Sequence, residues 1–502
     1  MTDSSKPRKI LAIKKTAANS PDIPAERRQR AGGRARQVAQ QDRARSQQRA
    51  APTREVPVEP AAPRAETSHK PVGSSRQREP RFETESFPHE HSTPDAVPAD
   101  GRDRNEVTAP RVHRRPRPAA QAEIFPVFAP CPQGIEEALA AELQALGFDQ
   151  VQTARAGCHF MADWTGIERA NLYSRLATRI LVQVAHGPAH HEDDILDLAY
   201  QTPWERWFGA EHSLRVDTSA IRSPMKSLQY CNLRAKDGIC DRLRDREGAR
   251  PDIDTVRPDA RVHLFLSEDT ATLYLDTSGE SLFKRGWRLD KGSAPLRENL
   301  AAGLLALSGW DPSQPLLDPF CGSGTILIEA AWIALGVPAG IWRPFGFERL
   351  RDHDARHWRD IKDEARTHIA PQLESPLVGY DLDPQAIEAA QRNTERAWLT
   401  TDSIRFEVGD AREVAPPAES GWLITNPPYG ERMAADEAGL WRAWSENLKR
   451  NYSGWEISII SSDLDLPQLL RLKPKRRYPL YNGALDCRMF SFEMVKAGYR
   501  KP

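Results

Sequence analysis

The sequence has little cysteine and no long apolar run, and these two absences exclude several classes of protein. Only six cysteines occur in 502 residues, and no two of them have the C-x-x-C spacing of a zinc or redox site. We therefore expect free thiols in a reducing cytosol. No run approaches the roughly 18 apolar residues of a membrane-spanning helix, and the N-terminus lacks the apolar core of a signal peptide. A cytoplasmic protein without membrane or metal partners is expected.

The chain also lacks net charge, although its charges are unevenly distributed. It has 70 basic and 70 acidic residues, but residues 1–50 alone hold 13 Lys and Arg against 4 Asp and Glu. Residues 1–122 are rich in Arg, Ala, Pro, Gln and Ser and poor in aromatic residues, so they cannot bury enough apolar area to offset the entropy of ordering. We predict a disordered basic arm, which is either a solvated tail or an electrostatic tether for RNA.

The rest of the sequence is predicted to fold into three α/β units. Residues 123–185 show a β-α-β-β-α-β order of short apolar strands and helices, which is typical of a ferredoxin-like unit. Residues 186–280 form a second α/β unit, with helices predicted at 195–208 and 232–244. In residues 281–502 strands alternate with helices, so we predict a doubly wound, mainly parallel sheet that ends in an antiparallel hairpin.

Within the last unit, the predicted elements indicate where functional side chains would meet. Strands are predicted at 315–318, 377–381, 404–408, 421–425 and 457–461, with helices at 325–335, 360–370, 384–397 and 438–452. The carboxyl ends of parallel strands lie at one edge of such a sheet, and ligands bind there. Polar residues directly after these strands are therefore the first candidates for a functional site.

The first candidate motif is Asp-Pro-Phe-Cys-Gly-Ser-Gly-Thr at residues 318–325, a strand end followed by a glycine turn and a helix. Glycines let backbone N–H groups approach a ligand closely. A dinucleotide site would need a third glycine where the chain has Leu327, and a phosphate loop would need G-K-[ST]. The turn suits the methionine part of S-adenosylmethionine, although a dehydrogenase remains an alternative for this motif alone. The candidate cofactor-binding residues are Asp318, Pro319, Phe320, Cys321, Gly322, Gly324 and Thr325.

Acidic residues end the next two predicted strands. Asp381 is the first candidate and Asp383 the second for accepting hydrogen bonds from ribose hydroxyls, with Asp383 also expected to cap the helix that starts at Pro384. Asp410 lies at the end of the third strand, where it can accept from the adenine amino group. The cofactor-binding candidates here are Asp381, Leu382, Asp410 and Ala411.

The sharpest motif is Asn-Pro-Pro-Tyr at residues 426–429, directly after an apolar strand. Its prolines fix the backbone and remove two donors. The side-chain oxygen of Asn426 and the carbonyl of Pro427 can then accept from one NH2 group, and Tyr429 offers a face for stacking a base. No general base is required, because a sulfonium is an activated leaving group and orientation supplies most of the rate. The candidate catalytic residues are Asn426, Pro427, Pro428 and Tyr429; a structural Pro-rich turn is the alternative.

Two basic segments are candidates for RNA contacts. Lys226 and residues 232–238 place polar and basic groups around a predicted helix start, while Lys-Arg-Gly-Trp-Arg at residues 284–288 precedes the last unit. An ordinary solvated helix and a charged linker are the respective alternatives. The candidate RNA-binding residues are Lys226, Arg234, Lys236, Lys284, Arg285 and Arg288.

As a set, these motifs resemble those of the bacterial THUMP-domain methyltransferases of large-subunit (23S) ribosomal RNA, which act on guanine N2. The resembling stretches are residues 232–239, 284–288, 294–302, 317–325, 425–432 and 480–485. The resemblance covers residues 123–502. It implies a THUMP RNA-binding domain at 186–280 and a class I, Rossmann-like methyltransferase domain at 281–502.

The resemblance also implies specific ligands. S-adenosylmethionine would be the methyl donor, and the 2-amino group of a guanine in 23S rRNA or in a large-subunit assembly intermediate would be the acceptor. Residues 318–325 would line the methionine end of the cofactor, Asp381 its ribose and Asp410 its adenine, and residues 426–429 would hold the guanine. Arg297 and Glu298 match a family motif near the cofactor.

The sequence departs from this family in two ways. Some family members carry a second methyltransferase domain, and since this chain ends soon after its predicted hairpin we expect that second activity to be absent. The basic arm is also outside the resemblance, and several alternative functions remain. A tRNA guanine-N2 enzyme would use the same modules. A DNA adenine-N6 or cytosine-N4 methyltransferase would use Asn-Pro-Pro-Tyr as well, and a ribosome-assembly factor without catalysis is a further alternative.

Overall fold

The structure is a computed structural model that describes residues 123–290, 296–400, 402–428 and 437–495. The predicted basic arm at 1–122 lies outside the described residues, as does Tyr429 among the candidate catalytic residues. Among the described helices, none combines the length and apolarity needed to span a membrane. The described residues also contain no cluster of three or more His, Cys, Asp or Glu side chains arranged to hold a metal ion.

The first half of the described chain forms one eight-stranded sheet, with the strand order β2-β3-β1-β4-β8-β7-β5-β6. Its strands are β1 Phe125–Pro130, β2 Gln152–Ala154, β3 Gly157–Ala162, β4 Leu181–Pro188, β5 Ser213–Ala220, β6 Asp252–Ile253, β7 Ala260–Leu266 and β8 Thr270–Asp276. The helices are α1 Glu136–Ala145, α2 Trp164–Tyr173, α3 Glu192–Gln201 and α4 Leu228–Glu247. Strand β4 pairs with β1 on one side and with β8 on the other, so the two predicted N-terminal units share a continuous sheet.

The second half forms a seven-stranded sheet, with the order β11-β10-β9-β12-β13-β15-β14. The strands are β9 Leu316–Asp318, β10 Leu377–Asp381, β11 Arg405–Val408, β12 Gly421–Thr425, β13 Trp455–Ser461, β14 Arg476–Asn482 and β15 Leu485–Glu493. The helices are α5 Glu298–Ser308, α6 Thr325–Ala334, α7 Ala355–Thr367, α8 Pro384–Arg396, α9 Glu437–Asn451 and the short α10 Leu466–Leu469. Five strands are parallel and β15 is antiparallel to both neighbours, which confirms the predicted fold class.

The sheet order creates a ligand crevice in the middle of this domain. From β9 the chain moves outward through β10 and β11, and then returns to the other side of β9 to add β12 and β13. The connections therefore leave β9 and β12 in opposite directions, and a gap opens beyond their carboxyl ends. The glycine turn directly follows β9 and Asn426 directly follows β12, so both border this gap.

Two local features differ from the sequence-based expectation. Helix α5 was not predicted as a helix, because eight of its eleven residues are buried and its sequence has no polar face to reveal a helical period. The helix predicted at 195–208 ends at Gln201, since Pro203 disfavours helical backbone at the preceding residue. A separate 3-10 turn at Trp204–Arg206 then buries the ring of Trp204.

Candidate active site

A cavity of about 390 Å³ lies beyond the carboxyl ends of β9, β10 and β12. It brings together most of the predicted cofactor-binding and catalytic residues. Of these, the lining includes Asp318, Pro319, Phe320, Cys321, Gly322, Thr325, Asp381, Leu382, Ala411, Asn426, Pro427 and Pro428. Further lining residues that the motifs did not single out as site residues are Leu296, Ser323, Ile326, Ala386 and Leu440, and Asp383 lines it as well. Gly324 and Asp410 are not part of the lining, although each is adjacent in the chain to a residue that is.

The two glycines of the turn serve different purposes. Both adopt left-handed backbone, with φ of +52° at Gly322 and +79° at Gly324. A Cβ atom at Gly322 would meet no described atom within 4 Å, so the open space above it belongs to the cavity. A Cβ atom at Gly324 would lie 3.0 Å from Phe406 and 3.1 Å from Ala390. Gly324 thus permits close packing of the loop against α8 and β11, whereas Gly322 leaves room for a ligand.

Asp381 fastens the glycine turn to the neighbouring strand. Its carboxylate accepts the N–H of Gly322 at 2.9 Å and the N–H of Asp383 at 3.0 Å. A carboxylate has about four lone-pair positions, so acceptor capacity remains for two ribose hydroxyls. Asp383 accepts the N–H of Gln385 at 2.9 Å, which confirms its predicted role as the cap of α8.

Asp318 joins β9 to β12 below the cavity. Its Oδ1 accepts the hydroxyl of Thr425 at 2.6 Å and the N–H of Phe320 at 3.2 Å. Burial of this carboxyl raises the pKa of Asp318 to about 7, and the nearby charge of Asp381 acts in the same direction. A carboxyl with such a pKa changes its charge near neutral pH, so its interaction with a cationic ligand group depends on pH.

Asn426 presents a buried acceptor that the protein itself does not satisfy. Its Oδ1 is shielded from solvent and has no hydrogen-bond partner among the described residues. A buried acceptor left unpaired costs about 1–3 kcal/mol. Since Asn426 lines the cavity next to Pro427 and Pro428, this oxygen is available to a donor on a bound substrate.

Asp410 is engaged by a neighbouring cation. The Nε of Arg412 donates to its two carboxylate oxygens at 2.9 and 2.8 Å, and this bonding lowers the pKa of Asp410. The next residue, Ala411, reaches the cavity wall. A hydrogen bond from adenine to Asp410 remains a prediction.

The structure corrects the expectation for Arg285. Only 1% of this residue is exposed. Its Nε donates to Glu329 at 3.1 Å, Nη1 to the carbonyl of Leu282 at 2.8 Å and Nη2 to the carbonyl of Arg175 at 2.6 Å. The expected direct RNA contact of Arg285 is therefore wrong. The residue anchors the interdomain segment to α6, the helix that begins at the glycine turn.

Arg288 is also largely engaged within the protein. Its Nε and Nη2 donate to the two oxygens of Glu298 at 2.9 Å each, and its Nη1 donates to the carbonyl of Leu296 at 2.8 Å. Leu296 lines the cavity, so the pair holds this part of the wall in place. An RNA contact of Arg288 stays a prediction.

The other candidate RNA-binding residues lie on or near the surface. Lys284 is exposed and lies 3.1 Å from Glu280, and Lys226 is exposed. Arg234 pairs with Asp193 on α3. Lys236 pairs with the adjacent Asp237. The sequence had indicated that Arg234 and Lys236 lie around a helix start. Because α4 begins at Leu228, both lie within the helix instead.

Sequence patterns missed a second, larger cavity of about 610 Å³ between the β7–β8 region and the domain built on the seven-stranded sheet. We call it the arginine cleft. Six basic side chains line it, against four acidic ones. The basic residues are Arg257, Arg261, Lys284, Arg288, Arg343 and Arg349; the acidic ones are Asp259, Asp276, Glu280 and Glu298. The six cations are scattered over about ninety residues, and the local charge run at residues 284–288 revealed only Lys284 and Arg288.

Three family models match the chain in the order of its structural units. A ferredoxin-like domain described for RlmL matches residues 126–181, a THUMP domain matches residues 189–276, and an RMKL-like methyltransferase domain matches residues 285–491. The methyltransferase match contains both the glycine motif and Asn426. The THUMP match ends at the last strand of the eight-stranded sheet.

Individual proteins agree with these matches. The ribosomal RNA large subunit methyltransferase K/L of Shewanella baltica OS155 is 38% identical over 367 residues, which are 72% of this chain and 52% of the relative. The chain thus spans about half the length of the curated relatives it matches. The structure of SMU.472 complexed with SAH has 28% identity and a TM-score of 0.69, covering 75% of this chain and 99% of that one. A possible methylase of Clostridium difficile 630 is 30% identical with a TM-score of 0.69, and the match covers 75% and 100% of the two chains. By its three domains and these relatives, the chain belongs to the THUMP-domain methyltransferase family.

Proposed function

We propose that this protein transfers a methyl group from S-adenosylmethionine to the 2-amino group of a guanine in large-subunit ribosomal RNA. The methyl donor follows from the family and from the solved relative that holds SAH, the demethylated form of this cofactor. Ribosomal RNA as substrate is supported by the K/L relatives and by the THUMP match. The choice of guanine N2 rests on the resemblance in sequence motifs.

The residues of the cavity fit the two halves of such a cofactor. The open space over Gly322 accommodates a ligand close to the backbone, and Asp381 retains acceptor capacity for a ribose. Asp318 and Thr325 would hold the methionine end, and Asp410 or the backbone near Ala411 would meet the adenine. When bound, S-adenosylmethionine supplies an electrophilic methyl group on a sulfonium.

The observation that carries the proposal is the unsatisfied oxygen of Asn426. An exocyclic amino group that donates to this oxygen and to the carbonyl of Pro427 is held in a fixed direction. Both bonds draw the nitrogen out of conjugation and direct its lone pair toward the cofactor side of the cavity. Orientation of this kind can lower a barrier by about 7–11 kcal/mol, and the proton can leave after transfer.

The arginine cleft supplies a second contact with RNA. Its cations lie on both the THUMP-matching region and the methyltransferase domain, so one RNA segment can bridge the two. The guanidinium of Arg257 is exposed and interacts with Asp254 and Glu280 only through their charges, which leaves its N–H groups available to a phosphate. A target base in structured RNA must also leave its stack to reach the cavity.

The test is methyl transfer by the purified full-length protein to deproteinised ribosomal RNA, to assembly particles, to tRNA and to DNA, followed by mass spectrometry of the nucleosides. We expect N2-methylguanosine in large-subunit RNA with the wild type and none with Asn426→Ala. Methylguanosine in tRNA alone would replace the substrate class, and methylated adenine or cytosine in DNA would contradict the proposal. The same analysis of RNA from a deletion strain, with add-back of each variant, locates the modified guanine.

A further inference from the structure

The outer edge of the methyltransferase sheet carries positive charge that the candidate active site does not use. Strand β14 is the last strand of this sheet, and in the described chain it pairs with β15 alone. Residues 471–477 precede β14 and include its first two residues. They contain five cations: Arg471, Lys473, Lys475, Arg476 and Arg477. All five are exposed. We call this segment the basic edge.

Carboxylates neutralise only a small part of the basic edge. Lys475 lies 3.4 Å from Glu456 and 2.9 Å from Glu493, and these exposed pairs are weak in water. The side chains of Arg471 and Lys473 have no ion pair with any residue of the described chain. Most of the positive charge is therefore available to a ligand outside the protein.

Aromatic rings accompany the two arginines at the start of β14. The guanidinium of Arg476 donates to the hydroxyl of Tyr478 at 3.2 Å, and that of Arg477 lies 5.8 Å from the ring centre of Phe490. Neither contact removes charge, because both partners are neutral. The contacts hold the arginine stems against the sheet while the cationic groups remain exposed.

Protection of a sheet edge does not account for this charge. Exposed edge strands often carry a lysine or a proline that prevents pairing with other chains. The opposite edge of the same sheet is β11, a four-residue strand whose Arg405 lies 3.4 Å from Glu407 in the same strand. One edge thus has a balanced charge pair, whereas the other has five cations.

The register of the strands fixes where the basic edge lies. Strand β14 runs in the same direction as β13, since both are antiparallel to β15, and the cations lie at its amino end rather than at the carboxyl end that faces the catalytic edge. It lies three strands away from β12, which at a strand spacing of about 4.8 Å is about 14 Å. Pairing through β15 and β13 brings Arg477 level with Thr425, the last residue of β12, while the other four cations precede it in the chain, toward the amino end of the strand.

We propose that the basic edge binds the phosphate backbone of the substrate RNA outside the cavity that takes the target nucleotide. The inference rests on the proposed function, because it takes RNA as the substrate. Uncompensated lysines and arginines bind a polyanion by releasing its counterions, and this gives an affinity that falls steeply with salt. Arginine and lysine recognise phosphates without regard to base, so the contact positions the RNA and leaves selection of the guanine to the cavity.

The test compares two triple variants of the full-length protein. The variant R471Q/K473Q/R476Q removes three cations from the basic edge, and R356Q/R359Q/R405Q removes three exposed cations from α7 and β11 as a control of equal charge. Affinity for a large-subunit RNA fragment and for polyglutamate is measured from 50 to 200 mM salt. We expect the first variant to lower the salt slope for RNA by about 2–3, with cofactor affinity and thermal unfolding unchanged. The control variant should lower the slope by less than 1.

Several outcomes would overturn the inference. If the variant R471Q/K473Q/R476Q keeps the RNA affinity and the salt slope of the wild type, the three cations make no phosphate contact. Loss of polyglutamate binding with retention of RNA binding would point to an acidic protein partner instead. If the wild type neither binds nor methylates any RNA, the proposed function fails as well. If the wild type methylates RNA and the variant R471Q/K473Q/R476Q binds RNA equally well, only the inference about the basic edge fails.

Discussion

The two sides of the candidate active site differ in how their polar groups are satisfied. On the cofactor side, Asp381 already accepts two backbone N–H groups, and Asp318 accepts the hydroxyl of Thr425. On the substrate side, the buried oxygen of Asn426 has no partner among the described residues. The proposed cofactor side is therefore shaped in advance by internal bonds, whereas the proposed substrate side keeps one buried acceptor unpaired.

The same distinction separates neighbouring cations outside the cavity. Arg285 has all three of its guanidinium nitrogens bonded within the protein, whereas the adjacent Lys284 is exposed and has a single surface ion pair, with Glu280. In the arginine cleft, Arg343 donates to the carbonyls of Ser278, Ser281 and Glu280, while Arg257 is exposed. We therefore expect cations that are bonded internally to position the site, and exposed cations with few internal bonds to contact ligands.

The largest effect is expected from Asn426→Ala, which removes the open acceptor. We expect kcat for methyl transfer to fall by about 10²–10³, a loss typical of removing one orienting hydrogen-bond partner from a reacting group. Binding of S-adenosylhomocysteine, measured by calorimetry, should change by less than about threefold, because the internal bonds of the cofactor side stay intact. Asn426→Asp keeps an oxygen acceptor and should retain more activity than Asn426→Ala.

Two results would remove the contrast between the sides. Activity of Asn426→Ala within a few fold of wild type would mean that the open acceptor does not orient the substrate. A parallel loss of cofactor binding and activity would mean that Asn426 belongs to the cofactor side.

The next effect in size is expected from Asp381→Ala. Loss of a carboxylate that bonds a ribose and also holds Gly322 should weaken binding of S-adenosylhomocysteine by about 10–100-fold, since a hydrogen bond to a charged group contributes about 1.5–3 kcal/mol. Asp383→Ala is the matched control, because that carboxylate caps α8. It should lower stability by about 1 kcal/mol and leave cofactor affinity within about threefold. Equal losses of affinity in the two variants would contradict the assignment of the ribose to Asp381.

How much of this site could be predicted from the sequence depends on whether its parts are contiguous. The glycine motif and residues 426–428 were recognisable because each places its functional groups within a few residues after an apolar strand. The arginine cleft as a whole was not, since only Lys284 and Arg288 belong to a local motif and its other four cations come from segments up to about ninety residues apart. The burial of Arg285 depends on Glu329, 44 residues further along, and no local pattern distinguishes it from a charged linker.

The fold shows the same dependence on contiguity. Alternating strands and helices predicted the parallel sheet and its final hairpin, because each element has its own periodicity. Helix α5 was missed since burial on nearly all sides removes that periodicity. The continuous sheet across β4 and β8 was missed for a further reason: pairing between distant strands depends on edges that the sequence does not mark.

A smaller effect is expected from pH acting on the cofactor side. Burial raises the pKa of Asp318 to about 7, so this carboxyl is largely ionised at pH 7.5 and largely protonated at pH 6. The ionised form attracts the cationic methionine end of the cofactor, and affinity should therefore fall by roughly eightfold between pH 7.5 and 6. Asp318→Asn should bind more weakly than the wild type at pH 7.5 and should show a much flatter dependence. An unchanged pH profile in this variant would assign the titration to another group.

The smallest effect is expected from Arg257→Ala in the arginine cleft. An exposed cation that neutralises one RNA phosphate contributes about 0.7–0.9 to the salt slope, so the affinity advantage of the wild type should shrink about threefold between 50 and 200 mM salt. Arg343→Ala offers the opposite case, because that guanidinium donates to four backbone carbonyls and its loss should lower stability. A change of the RNA salt slope in Arg343→Ala but not in Arg257→Ala would contradict this expectation. Internal hydrogen bonding would then fail to distinguish cations that position the cleft from cations that bind RNA.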